Sequence, residues 1–406
     1  MNVRDKYHTL NGFSQDKHAQ QFLLLSAICV AITFSVWQAL LNNFSVEQAS
    51  FTGTEIGILQ TLREIPGFLA FGAVFLLLLL KEQYLAVVSL AILSIGVGLT
   101  GFFPTSYGLY ATTIVMSVGF HYFETINTSL QIQWLGKKEA PAVMGKILSK
   151  TAMAALITFS IIWCAMEFLQ VPYWVIYVIA GILGCVMALY LFLRFPLLPK
   201  KSIQHRHLVI RKRYWLYYAL VFMSGARRQI FVVFAGFLMV DKFGFSVENM
   251  AMLFIINQIA TVWLAPKIGR FVGHFGERNV LLVEYIGLII VFVAYGLVDN
   301  HWVASSLYVI DNIFFAMAIA TKTYFQKIAS PEDIASTSGV SFTINHIAAV
   351  VLPVFLGMIW MISPALVFYI GAGMAVVSLG LALLVPHIPK PGHESLFKRN
   401  MATEFS

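Results

Sequence analysis

Two adjacent arginines, Arg227 and Arg228, stand near the middle of a long apolar run at about 214–241. A charge at the centre of a bilayer costs from about 2.5 kcal/mol upward, so an arginine there needs a partner or a task. Its guanidinium is a planar fork of donors that matches a carboxylate or a phosphate. Successive helix positions point about 100° apart, so one arginine can face a solute path and the other a neighbouring helix. Recognition of an anion is one reading of the pair. A structural ion pair with an acid on another run is the other.

More ionisable residues lie inside apolar runs. Arg63 and Glu64 sit about a third of the way into 55–80 and read either as a gating ion pair or as part of a site. His121 and Glu124 are three apart and share a helix face. An imidazole and a carboxyl can both exchange protons, so this pair is the first candidate for carrying a coupling proton. The plainer reading is a satisfied histidine and a carboxylate paired with Lys150 or an arginine. Lys146 and Lys150 also share a face. Lys146 can snorkel to the interface, whereas Lys150 is deeper and is a candidate anion contact. Asp311 is a further proton candidate, with Lys322 lower in the same run. Asn345 is a candidate substrate contact, and His346 beside it reads as an interhelical hydrogen bond. Glu64, Lys322 and His346 are grouped as gating or ion-pair residues, and Glu167 and Glu284 as interfacial.

Arg63, Lys150, Arg227, Arg228 and Lys322 outnumber the deep acids Glu64, Glu124 and Asp311 by two. An organic anion suits that balance better than a cation. No enzyme signature accompanies these charges: GxxxxGK[ST] and HExxH are both absent. Neither cofactor nor metal is expected. Cys29, Cys164 and Cys185 have no paired spacing and read as small packing residues.

The elements that position these residues follow from composition. Of 406 residues, 59 % are apolar and 11 % charged, and mean hydropathy is +0.79. Soluble domains carry roughly 25 % charged residues. A helix needs about 20 mostly apolar residues to cross a bilayer. Twelve runs qualify, at about 21–44, 55–80, 84–103, 107–135, 141–169, 172–195, 214–241, 247–272, 278–298, 301–329, 337–361 and 364–387. With the N-terminus in the cytoplasm, twenty of the 27 Lys and Arg residues fall on that side. Lys242 alone falls opposite, and six lie inside runs. This positive-inside bias predicts that both termini are cytoplasmic. It also accounts for the net charge of +8 without nucleic acid.

The two halves align without gaps at a shift of 194 residues. Phe51 falls on Phe245, Leu59 on Leu253, Glu139 on Asp333, Gly145 on Gly339, and Arg63-Glu64 on Asn257-Gln258. A six-span unit repeated in one orientation is a transporter plan. The segment Gly269-Arg270-Phe271-Val272-Gly273-His274-Phe275-Gly276-Glu277-Arg278 is similar to a loop signature of the major facilitator superfamily, in which a glycine is followed, after three residues, by Asp-Arg-x-Gly-Arg-Arg/Lys. Gly269, Gly276 and Arg278 match; Gly273 replaces the acid and Glu277 a base. The corresponding first-half segment, Phe75 to Gln83, has lost the pattern. The run at 141–169 lacks the glycine-proline signature of drug/proton antiporters.

The chain therefore resembles that superfamily over nearly its whole length. The resemblance implies an all-α polytopic membrane protein with twelve transmembrane helices in two six-helix, pseudo-symmetric bundles, 1–195 and 214–406, joined by a basic cytoplasmic linker, 196–213. It further implies a monomeric secondary transporter working by alternating access in a cytoplasmic (inner) membrane, with no enzymatic activity. The expected cargo is a small organic anion coupled to protons. Arg227, Arg228, Lys150, Arg63 and Asn345 would hold it, Glu124, His121 and Asp311 would carry protons, and Gly269, Gly276 and Arg278 would form a conformational loop. A proton-coupled efflux pump for amphipathic compounds is the nearest alternative. A membrane sensor or lipid-handling protein is an alternative of another class.

Overall fold

A chain this apolar satisfies its backbone inside a membrane by folding into helices, and it does so almost throughout. A computed structural model describes residues 11–51, 53–198, 208–245 and 247–397. The first half comprises α1 (Asn11–Ala49), α2 (Gly53–Phe68), a 3₁₀ turn Leu69–Gly72, α3 (Ala73–Leu76), α4 (Glu82–Thr100), α5 (Ser106–Trp134), α6 (Ala140–Glu167) and α7 (Tyr173–Arg194). The second half comprises α8 (Trp215–Gln229), a π-helical turn Ile230–Ala235, α9 (Gly236–Asp241), α10 (Val247–Phe275), α11 (Glu277–Leu297), α12 (His301–Ala316), α13 (Ile319–Ile328), α14 (Ile334–Trp360) and α15 (Pro364–Leu383). Much of the expected linker, 199–207, lies outside the described residues.

Among the described residues, eleven helical segments are long and apolar enough to cross a membrane. The twelfth expected run is α5, a 29-residue helix. It falls short in apolarity because it buries a polar face that includes Thr113, Ser117, His121, Asn127 and Gln131. Its start is set by Thr105, whose hydroxyl accepts from the Gly108 amide at 3.2 Å. Asn300 caps α12 in the same way, accepting from the Trp302 amide at 2.8 Å.

Three expected spans are not uniform helices. Pro66 removes a helical donor within α2, and the 3₁₀ turn begins three residues later. The π-helical turn begins just after Arg227-Arg228-Gln229. A break at Met317-Ala318 separates α12 from α13, six residues after Asp311. Each interruption lies beside deep charges.

Small residues let the helices approach closely. A Cβ at Gly119 would strike the backbone of α4, and one at Gly181 would lie 2.6 Å from the Gly98 Cα. Contacts between the halves of the chain run mainly through α6 with α10 and through α14 with α2, its 3₁₀ turn and α5. At the first, Gly145 abuts the Ala265 carbonyl, Gly269 abuts the Pro141 carbonyl, and the Ser149 hydroxyl donates to the Val262 carbonyl at 2.6 Å. At the second, the Gly339 face lies against Ala70 and Phe71, and the Phe71 amide donates to Thr343 Oγ1 at 3.0 Å. The shift of 194 carries Gly145 onto Gly339, Ser149 onto Thr343 and Phe71 onto Ala265. The same shift relates Ile132 to Gln326, whose side-chain amide donates to the carbonyls of Ile132 and Leu135 at 2.8 Å each. The repeat in the sequence is therefore also a repeat of contacts.

Candidate functional site

A polar cluster lies where α2, α5 and α14 meet. Arg63 donates to Oε1 of its neighbour Glu64 through Nε at 3.1 Å and Nη2 at 2.5 Å. The Ser117 hydroxyl on α5 donates to the Arg63 carbonyl. One turn on, Nδ1 of His121 sits 2.9 Å from that hydroxyl and 3.0 Å from the Ser117 carbonyl. His346 on α14 places Nδ1 2.8 Å from the Phe342 carbonyl and Nε2 3.6 Å from Oε2 of Glu64. The two imidazole centroids are 5.0 Å apart, edge to face, and Phe342 stacks on His346 at 4.5 Å. Both histidines are buried, while the Glu64 side chain keeps 21 % exposure. Arg63, Glu64, His121 and His346, divided in the sequence among anion binding, gating and proton coupling, thus share one site.

Arg227 and Arg228 diverge. Arg227 is buried, donates to Glu284 of α11 at 3.3 Å and lies 4.6 Å above the Tyr285 ring. Asp311 of α12 is buried within reach of the Arg227 charge, with Oδ2 lacking a partner. Glu284, read as interfacial in the sequence, is buried in a pair with Arg227, about 10 Å along α11 from its start. Arg228 faces the other way, toward Glu64, Arg63 and His346, whose charges it feels. It makes no hydrogen bond among the described residues, and its Nε is buried without a partner. Both arginines border one small pocket, shared with Ser224, Glu284, Asp311 and Phe314.

The remaining candidates scatter. Glu124 of α5 and Lys322 of α13 interact electrostatically across the halves. Asn345 donates to the Val221 carbonyl at 3.3 Å, and Gly225 leaves room for it, so it joins α14 to α8. Lys150 is exposed on α6, on a stripe with Met153, Ile157 and Ile161. That apolar stripe has the character of a lipid-facing surface, so the structure does not bring Lys150 to the cluster.

The model of the Major Facilitator Superfamily matches residues 22–353 and again 217–402. This chain belongs to the major facilitator superfamily. It is accordingly a membrane transport protein and not an enzyme. Solved superfamily structures share its fold at low identity. FucP in the outward conformation is 11 % identical with a TM-score of 0.72, covering 90 % of this chain and 97 % of that one. The proton:xylose symporter XylE bound to 6-bromo-6-deoxy-D-glucose is 11 % identical at 0.73, covering 94 % and 98 %. The human organic anion transporter MFSD10 (TETRAN) is 12 % identical at 0.67, covering 90 % and 99 %. No curated protein matches the sequence closely enough to count as a relative.

The superfamily loop signature divides its work among its residues. Gly276 holds a φ of 81°, which favours glycine, and turns the chain from α10 into α11. Gly269 is the close contact with Pro141. Arg278 is half-buried with no hydrogen bond among the described residues. Glu277, one of the departures from the superfamily pattern, is buried and bound by Lys327 at 2.7 Å. In the first half, where the signature is lost, Glu82 is also buried and accepts from Gln133 at 2.9 Å and Ser129 at 3.0 Å. The shift of 194 relates Gln133 to Lys327. The anchoring of a helix-start acid survives after the motif has gone.

Proposed function

We propose that this protein is a secondary transporter of a small organic anion, coupled to protons, in a cytoplasmic membrane. The six-helix halves 1–195 and 214–406 form its two bundles, linked by 196–213, with both termini cytoplasmic and the monomer as working unit. The observation that carries the anion reading is Arg228. It is a deep guanidinium with unused donors, between the Glu64–His346 cluster and the α8–α11–α12 pocket. A buried cation without a protein partner is costly, and an anionic ligand repays part of that cost when it binds. Arg63 lies in the same cluster and adds positive charge.

Proton coupling follows from charge counting. Arg227 serves two buried carboxyls, Glu284 and Asp311. If both are ionised, one negative charge is left over in a low-dielectric site. A proton on Asp311 removes it, and its loss restores it. Arg227 binds Glu284 directly, whereas Asp311 makes no hydrogen bond among the described residues, so Asp311 is the proposed proton carrier. Glu124, opposite Lys322, is a second exchangeable pair. Protonation biases the orientation of the halves only by the difference it makes to the two states.

The four aromatic and aliphatic pocket residues Leu288, Phe292, Phe314 and Phe315 favour efflux of an amphipathic compound as the second reading. One panel separates the two. Purified protein is screened by thermal stabilisation with organic anions and amphipathic cations, for wild type and Arg228→Ala. Stabilisation by anions, lost in the variant, is expected. Hits confined to cations and unaffected by the substitution would refute the anion reading.

A further inference from the structure

Glu64, His121 and His346 each offer a metal-ligating atom, and these atoms all lie within 4.8 Å of one another. The Glu64 Oε2 to His346 Nε2 separation is 3.6 Å. Ligand atoms about 2.0–2.1 Å from a tetrahedral zinc ion stand roughly 3.3 Å apart, so this pair needs little movement.

The surroundings hold the three groups in ligating form. Nδ1 of His121 lies on the Ser117 carbonyl at 3.0 Å, and Nδ1 of His346 on the Phe342 carbonyl at 2.8 Å. A carbonyl only accepts, so each Nδ1 carries the hydrogen and each Nε2 keeps its lone pair. Metal-bound histidines are oriented by such bonds. Glu64 is fixed likewise: Arg63 holds Oε1 and leaves Oε2 toward His346. Gly67 supplies the space. A Cβ there would lie 2.7 Å from His346 Nε2 and 2.8 Å from His121 Cδ2.

We propose that Glu64, His121 and His346 form a binding site for a divalent transition-metal ion of the Zn²⁺ class, with a fourth position open to water or an anion. Two imidazoles and one carboxylate suit a borderline ion better than Mg²⁺ or Ca²⁺. Arg63 and Arg228 oppose a bare cation, and an anionic fourth ligand facing Arg228 offsets them. No spacing in the sequence points to this site, because its ligands come from three helices. Glu64 and His121 precede the linker and His346 follows it. The ion therefore ties the two halves together in the arrangement where α2 and α14 touch, and holds that arrangement against interconversion. This inference does not depend on the identity of the transported solute.

The test uses purified full-length chain, with any affinity tag removed and metal stripped by chelator. Zn²⁺ is titrated by calorimetry, and Co²⁺ by its visible spectrum, which reports coordination geometry. One Zn²⁺ per chain and a four-coordinate Co²⁺ spectrum are expected. His121→Gln and His346→Gln should each weaken binding by roughly 100-fold or more, given that even supporting residues cost 10–100-fold. His346→Cys keeps a donor atom and should retain the ion, which separates lost ligation from lost folding. Absence of saturable Zn²⁺ binding by the wild type, or binding by both glutamine variants as tight as that of the wild type, would overturn the proposal. Solute transport in chelator-treated buffer reads the transport function separately.

Discussion

Arg227 and Arg228 are neighbours in sequence with opposite surroundings, and substitution should separate them. Removing one partner of a buried pair leaves an uncompensated charge, costing about 3–5 kcal/mol. Arg227→Ala is therefore expected to lower the melting temperature strongly, and Arg227→Met with Glu284→Leu to recover most of the loss. Equal melting temperatures for Arg227→Ala and wild type would mean that the pair with Glu284 is not structural. Arg228→Ala breaks no hydrogen bond and should leave the melting temperature nearly unchanged while abolishing stabilisation by anions. The depth of both arginines is legible in the sequence, because apolar runs measure depth directly. The identity of the partner is not. Glu284 is 57 positions from Arg227, and only helix packing brings them together. The cluster of Arg63, Glu64, His121 and His346 was hidden for the same reason: each residue is visible as a buried polar group, but their convergence is tertiary. Gly67 carries no sequence signal at all, since its importance is the absence of a side chain between two rings.

At the level of helices, periodicity is uninformative in the most apolar runs and the ends are set by turn chemistry. Length and hydropathy identify the spans, and α5 is the instructive exception. Its polar face faces protein rather than lipid, so composition alone ranks it below the others while packing buries it. The interruptions after Phe68, Gln229 and Ala316 are less legible. Only the first has a proline before it; the π-helical turn after Arg227-Arg228 has no sequence marker. The α6–α10 contact tests how tightly the helices are fitted. A side chain at Gly145 would meet the Ala265 backbone carbonyl, which cannot rotate away. Gly145→Val should therefore wedge α6 from α10 and favour the arrangement in which they separate. Thiol labelling of Ser149→Cys, a position that holds the Val262 carbonyl in this arrangement, should accelerate in the Gly145→Val background. An unchanged labelling rate would show that the helices absorb the wedge without parting.

Across the whole molecule, the contacts between the chain halves lie on the side that bears the α5–α6 and α10–α11 turns. Gln326 reaches the carbonyls of Ile132 and Leu135 there, and Lys137 Nζ donates to the Lys327 carbonyl at 3.3 Å. On the opposite side, two polar links lie within a half: Tyr173 with Glu47 at 2.8 Å, and Lys242 with Asp299 at 2.8 Å. The contacts described between the halves thus concentrate on one side, which is the asymmetry expected of one orientation in alternating access. Opening that side requires Ile132 and Gln326, equivalent positions in the repeat, to part. Cysteines placed at both positions in a background with Cys29, Cys164 and Cys185 replaced should therefore cross-link under oxidation and stop solute flux, and reduction should restore it. The bond acts by removing one of two states rather than by touching the site, so binding of solute from the opposite side should survive cross-linking. Flux that continues at full rate with the bond formed would mean that transport proceeds without separating these helices, and the rocking of the halves would have to be abandoned.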